Sequence, residues 1–183
     1  MSGGAHIEAH GEHSKGIALL ISVLALVLAF SETLGKSAQT AALDANIQAA
    51  NLWAFFQAKT IRQTTLRTAA EQLDALAAGE AAKKQAAAWR ETAERYQSEP
   101  SSGEGRNELS ARAKKAEQKR DRAMTAYHQY ELASAAVQIA IVLASASIIT
   151  AMPALAWTAG VLGAAGALLC LVGFFFPAAL HLL

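Results

Sequence analysis

The tail MSGGAHIEAHGEHSKG carries the chain's one constellation of metal-type ligands: His6, His10 and His13, with Glu8 and Glu12 between them. Spacings of four and three would set the three imidazoles on one helical face, and imidazole suits zinc, copper or nickel. The same residues also read as a polar, solvated tail, because the segment is short, terminal and glycine-containing. His128, beside Tyr127, Tyr130 and Glu131, offers a proton relay or an anchor at a membrane surface, where aromatic side chains gather. Gln138 is an amide inside an apolar run, placed to hydrogen-bond a neighbouring helix or to line a pore. No phosphate-binding loop, dinucleotide turn, Cys-x-x-Cys pair or HExxH is present. The apolar segments are expected to hold no carboxylate or lysine, so an ion-coupled transporter would lack its usual intramembrane ionisable group. These residues predict a protein that is not an enzyme and needs no cofactor.

The elements that must position such residues follow from where charge is missing. Hydrophobic residues make up 53% of the 183, and neither 17–31 nor 132–183 contains a formal charge. A bilayer-spanning helix needs ~20 mostly apolar residues. Segments 16–35, 133–152 and 154–176 each meet that length, with a polar tail at 1–15 and a short one at 177–183. Pro153 and Pro177 punctuate the last two, since proline lacks the N–H and clashes with the preceding turn. After the first apolar run, SETLGKSAQ shows no small-x-small cleavage site, which predicts a retained anchor rather than a signal peptide. Cys170 stands alone, so no internal disulfide forms. A net charge of +1 supplies no electrostatic footprint for nucleic acid.

Residues 36–132 read as an extramembrane helical stalk dominated by Ala, Gln, Glu, Lys and Arg, all strong helix formers. Pro100, Gly103 and Gly105 mark a loop at 98–107, with Asn107 suited to cap the helix after it. Three seams have heptad-like spacing with small residues. One is Ala82, Ala86, Trp89, Ala93 and Tyr96; another is Leu109, Ala113, Ala116, Arg120, Ala123, Tyr127 and Tyr130. The third is Leu43, Ile47, Ala50 and Ala54, resumed at Ile61. If Gly79 is the tip of a hairpin, the outgoing stretch 36–78 and the two returning helices 80–97 and 108–132 have matching lengths. The hairpin would then rise roughly 65 Å. If 98–107 is the tip instead, residues 36–60 must bend away or lie along the membrane. The predicted fold class is all-α: three transmembrane helices and a long coiled-coil-like helical hairpin.

NLWAFFQAKTIRQTTLR, residues 51–67, sets Trp53, Phe55 and Phe56 in a stretch of alanine and polar residues. At 100° per residue the rings point in spread directions, so they serve the stalk's own packing, a subunit interface, or an interfacial membrane helix or peptide-docking site. Lys59 and Arg62 are placed to pack over them as cation–π partners. NLWAFFQAKTIRQT, with QIAIVLAS at 138–145 and AYHQYELA at 126–133, is similar to a bacterial membrane-protein family catalogued as domain of unknown function 4337. That family pairs a W-x-[FY]-[FY]-Q-A-K block with a Q-I-A-I-V-L-A-S span. Trp53, Phe55, Phe56, Gln57, Ala58 and Lys59 match the first, and Gln138 to Ser145 match the second. The resemblance covers most of the chain and implies a three-span membrane protein with a helical extramembrane region, and no activity. Relatives resemble T-R-R-R after the second span, where this chain has TAMPAL at 150–155.

Ala156, Gly160 and Ala164 form one small-residue face of the last segment, and Ala159, Gly163 and Ala167 another, which permits close approach to two helices. Lys36, Lys114, Lys115, Lys119, Arg120 and Arg122 flank the spans on the stalk side, against Lys15 opposite, which favours a cytoplasmic stalk. Arginines in the relatives' short loop argue the reverse. The expected role is a homo-oligomeric scaffold or tether in a bacterial inner membrane, its protein partner unknown and the lipid bilayer its surroundings. Trp53, Phe55, Phe56, Gln57 and Lys59 would knit the stalk; Gln138, Gly160 and Gly163 would knit the base. The alternative is a homo-oligomeric channel lined by Gln138, Ser145 and Ser147.

Overall fold

A computed structural model describes residues 3–77 and 79–176, with side chains from Lys15 onward. The chain is all-α, and no strand occurs among the described residues. Four helices follow in order: α1 (Gly3–Leu76), α2 (Glu80–Gln97), α3 (Arg106–Thr150) and α4 (Pro153–Phe175). The 74-residue length of α1 follows from the absence of any proline before Pro100. Gly79, in extended conformation, is the N-cap of α2, whose first turn carries Glu80 and last turn Arg95, matching the helix dipole. Three helices (α1 from Lys15, α3 and α4) are long and apolar enough to cross a membrane.

The loop after α2 turns at Gly103, whose φ of +68° is left-handed backbone that glycine adopts without a Cβ clash. Helix α3 starts one residue before the expected cap. Gly105 provides the capping carbonyl to Leu109 N–H, and Asn107 instead accepts a 3.0 Å hydrogen bond from Gln97 Nε2. Glu108 explains the shift, because its carboxylate accepts from Ser98 Oγ at 2.7 Å and Glu99 N–H at 3.2 Å, pinning the loop to the first turn. At the other end of α3, Ala151 takes φ 54° and Ser147 Oγ donates to Met152 O at 3.0 Å. Pro153 then opens α4 in the first turn, where its missing N–H costs nothing.

The chain divides into two compact units. The first comprises residues 1–42 and 121–183, and its core lies where α1, α3 and α4 meet. Ile17, Ala144 and Ala159 form one buried cluster; Leu24, Val137 and Ala140 form another. Gly163 lies against the Leu24 side chain, and a Cβ at Gly166 would stand 2.7 Å from Val137 Cγ2 and 3.1 Å from the Ala133 carbonyl. Glycine is therefore what lets α4 approach its neighbours.

The second unit, Leu43–Arg120, packs the rest of α1 against α2 and the start of α3. On α2 and α3 the buried residues follow the expected seams: Ala86 and Ala93, then Leu109, Ala113 and Ala116. On α1 the expected seam is on the wrong face. Leu43, Ile47 and Ile61 are 59%, 50% and 67% exposed, and Ala50 and Ala54 are exposed too. The inward face is Ala45, Ala49, Lys59, Gln63 and Ala70, with Trp53 and Phe56 half-buried along it. Alanine repeats on both faces, and helices packed through alanine approach closely, so the larger Leu and Ile were not needed inside.

Candidate functional site

Two constellations gather the polar residues, one in each unit. In the second unit, the steps Phe56, Lys59 and Gln63 put three unlike side chains on one stripe of α1. Gln63 is fully buried and its amide donates to Ala93 O at 2.9 Å and to Gln97 Oε1 at 3.2 Å. Its own Oε1 accepts from Arg106 Nη1 at 2.5 Å, and the same Nη1 reaches Gln97 Oε1 at 3.0 Å. The Arg106 guanidinium lies 5.0 Å over the Phe56 ring. Lys59 is buried, its ammonium 4.8 Å over Tyr96, 5.5 Å over Phe55 and 3.8 Å from Glu104. Burying a cation is expensive unless it is paired and solvated by other groups, and two rings with a carboxylate do that for Lys59.

Trp53 is half-buried; its indole Nε1 donates to Glu117 Oε1 at 2.9 Å, and its ring meets Phe56 edge-on at 5.4 Å. These two rings thus serve packing inside the chain. Phe55 is 36% exposed and Gln57 is exposed. Arg62 is exposed, and Arg106, forty-four positions later, holds the cation–π place over Phe56. Phe55 lies in a cleft of about 480 Å³ between α1 and α3, together with Gln48, Asn51, Leu52, Arg112, Lys115, Ala116 and Lys119.

In the first unit a cleft of about 370 Å³ opens between α1 and α3, lined by Ser31, Glu32, Gly35, Lys36, Gln39, Tyr127, Tyr130, Glu131, Ser134, Ala135 and Gln138. Gln138 is exposed, and its Nε2 donates to Glu32 Oε1 at 3.3 Å. Glu32 corrects the expectation that the apolar segments hold no carboxylate. Bounding the uncharged run at residue 31 hides it, although it lies within 16–35. Buried Ser31 donates through Oγ to Tyr130 O at 2.9 Å, fixing α1 against α3 beside the pair. His128 Nδ1 lies 3.6 Å from Glu131, and Tyr127 OH is 3.5 Å from the same carboxylate.

The two small-residue faces of α4 part company. Ala159 and Gly163 are buried, whereas Gly160 has nothing within 4 Å of its Cβ position and lines an open cleft with Pro153, Ala156, Trp157, Val161 and Ala164. Ser145 Oγ donates to Ile141 O and buried Ser147 to Met152 O, so both hydroxyls are engaged within α3 and its following turn. The side chains of His6, His10 and His13 lie outside the described residues. Among the described residues no three His, Cys, Asp or Glu side chains gather as metal ligands. Sequence reasoning missed Gln63, Arg106, Glu117 and Glu32. Gln63 alone carried a signal, falling seven residues after Phe56 on one stripe.

Residues 13–176 match the family described as Domain of unknown function (DUF4337). No curated protein and no solved structure matches the chain.

Proposed function

The chain belongs to the DUF4337 family, and from that premise we propose that it is a non-enzymatic, homo-oligomeric membrane scaffold or tether. One observation carries the proposal: the uncovered stripe Leu43, Ile47, Ala50, Ala54 and Ile61 on α1. Its steps of four, three, four and seven are those of a coiled-coil seam, and a second copy presents the same stripe. Residues 43–61 carry two charges, Asp44 and the inward, buried Lys59, so pairing the stripes desolvates almost no ionised group. Three apolar helices support a multi-pass membrane anchor, and the cations near the stalk ends of the spans favour a cytoplasmic second unit in a bacterial inner membrane.

The test is native mass spectrometry of protein released gently from its membrane, with Ile47→Asp/Ile61→Asp as the comparison. An oligomer in the wild type that dissociates in the double variant supports the reading; a wild-type monomer overturns it. A second reading, a channel, draws on the exposed Glu32–Gln138 pair, a polar group on the outside of an otherwise apolar segment. Copies arranged around that pair would give a polar axis. Planar-bilayer recordings with no conductance would dismiss it.

A further inference from the structure

The cleft that holds Phe55 has a use that self-association through the Leu43 stripe does not fill. At 100° per residue, its α1 wall lies about a third of a turn away from that stripe. Its floor is apolar, made by Leu52, half-buried, and Phe55, whose ring stays 36% exposed beside the Lys59 ammonium. Its α3 wall is cationic, with Arg112, Lys115 and Lys119 at steps of three and four. The seven steps from Arg112 to Lys119 rise ~10.5 Å, about two helical turns.

Among the described residues no acid forms an ion pair with Lys115 or Lys119. Glu117 is taken by the Trp53 indole and Glu108 by Ser98 and the Glu99 N–H. Arg112 spends one N–H on Gly103 O at 3.3 Å, and Lys115 and Lys119 form no ion pair among the described residues. Asp44 is the single acid on the facing stretch of α1, and it precedes the cleft by one turn.

We infer that this trough is a docking surface for an acidic amphipathic helix of another protein. A third helix laid between two packed helices buries apolar side chains at i, i+3 and i+4 on Leu52 and Phe55. Acidic residues at i+1, i+5 and i+8, on the flank of that apolar stripe, would then run beside the three cations. Charge complementarity of this kind fixes register and partner choice. A polyanion such as nucleic acid would use the cations and leave the apolar floor without a partner. The inference concerns the second unit alone and is independent of whether copies of the chain assemble.

The experiment uses the full chain in detergent and two fluorescent helical peptides of identical composition. One places its leucines and glutamates in the pattern above; the other moves the glutamates to the opposite face. Anisotropy titrations should show the patterned peptide binding about tenfold or more tightly than its control, with affinity falling as salt rises. Lys115→Glu/Lys119→Glu should abolish the preference, and Phe55→Ala should weaken binding while Phe55→Leu restores part of it. Lys115→Gln/Lys119→Gln serves as the milder variant, with unchanged circular dichroism as the folding control. Equal binding of both peptides, no binding of either, or full competition by single-stranded RNA overturns the inference. Loss of peptide binding with the oligomer intact separates this result from failure of the scaffold reading.

Discussion

The two units solve one problem, packing long helices side by side, with different chemistry. The first relies on removal of side chains: Gly163 and Gly166 bring the α4 backbone against Leu24, Val137 and the Ala133 carbonyl. The second keeps side chains and satisfies them. Gln63, Arg106 and Lys59 are held between helices by amides, carbonyls, rings and a carboxylate. The contrast follows from composition. Apolar helices that meet through small residues gain dispersion contacts without any polar group needing a partner. An alanine seam buries little area, and the second unit adds directional bonds that fix the register of three helices.

The comparison breaks most sharply at Gly166. A leucine there would drive its side chain into Val137 and the Ala133 carbonyl, and the backbone atom cannot yield as a side chain does. Overpacking should cost about 3 kcal/mol, read as a lowered unfolding midpoint in detergent. Gly160→Leu, on the open side of the same helix, should leave that midpoint nearly unchanged. Equal losses at both positions would mean that helix propensity, rather than close approach, governs α4.

The second unit is tested at Gln63. Replacement by leucine keeps the volume but removes the side-chain donor to the Ala93 carbonyl and leaves part of the Arg106 guanidinium without a partner. The expected loss is about 2 kcal/mol, measured by denaturant unfolding of the full chain followed by circular dichroism. Trp53→Phe is the smaller case, removing the 2.9 Å bond to Glu117 while keeping the edge contact with Phe56. It should cost about 1 kcal/mol. If Gln63→Leu proves neutral, the polar knot is no more than a substitute for hydrophobic packing.

How far the sequence revealed these two solutions depended on residue size. The seams of α2 and α3 were legible because Trp89, Tyr96 and Leu109 stand out among alanines and set the phase. On α1 the large residues misled: Leu43, Ile47 and Ile61 lie outward, and the inward face is alanine followed by Lys59 and Gln63. A pattern search that counts apolar residues assigns a buried lysine and glutamine to the surface, because their burial depends on partners up to forty-five residues away. The glycines of α4 were visible as two faces, but choosing between them required knowing where Leu24 and Val137 stand. Trp53 and Phe56 were readable as anchors, whereas the Glu117 partner was not, since nothing local distinguishes it from other solvated glutamates.

The smallest expected effect concerns the loop that ends α2, and it separates the two units by pH. The Ser98 hydroxyl, with backbone N–H help that includes Glu99, holds the Glu108 carboxyl below the usual glutamate range. A carboxylate whose folded value is depressed adds stability that is fully present above its unfolded value and disappears as pH falls through the folded one. Amide exchange at Glu99, corrected for the intrinsic pH dependence, should therefore quicken on acidification, while the amides around Gly166 stay protected. Glu108→Gln is the control: it should speed exchange at neutral pH and flatten the pH dependence. A Glu99 amide whose protection ignores both acid and the substitution would show that Gly103 and Gly105 shape this loop without the carboxylate.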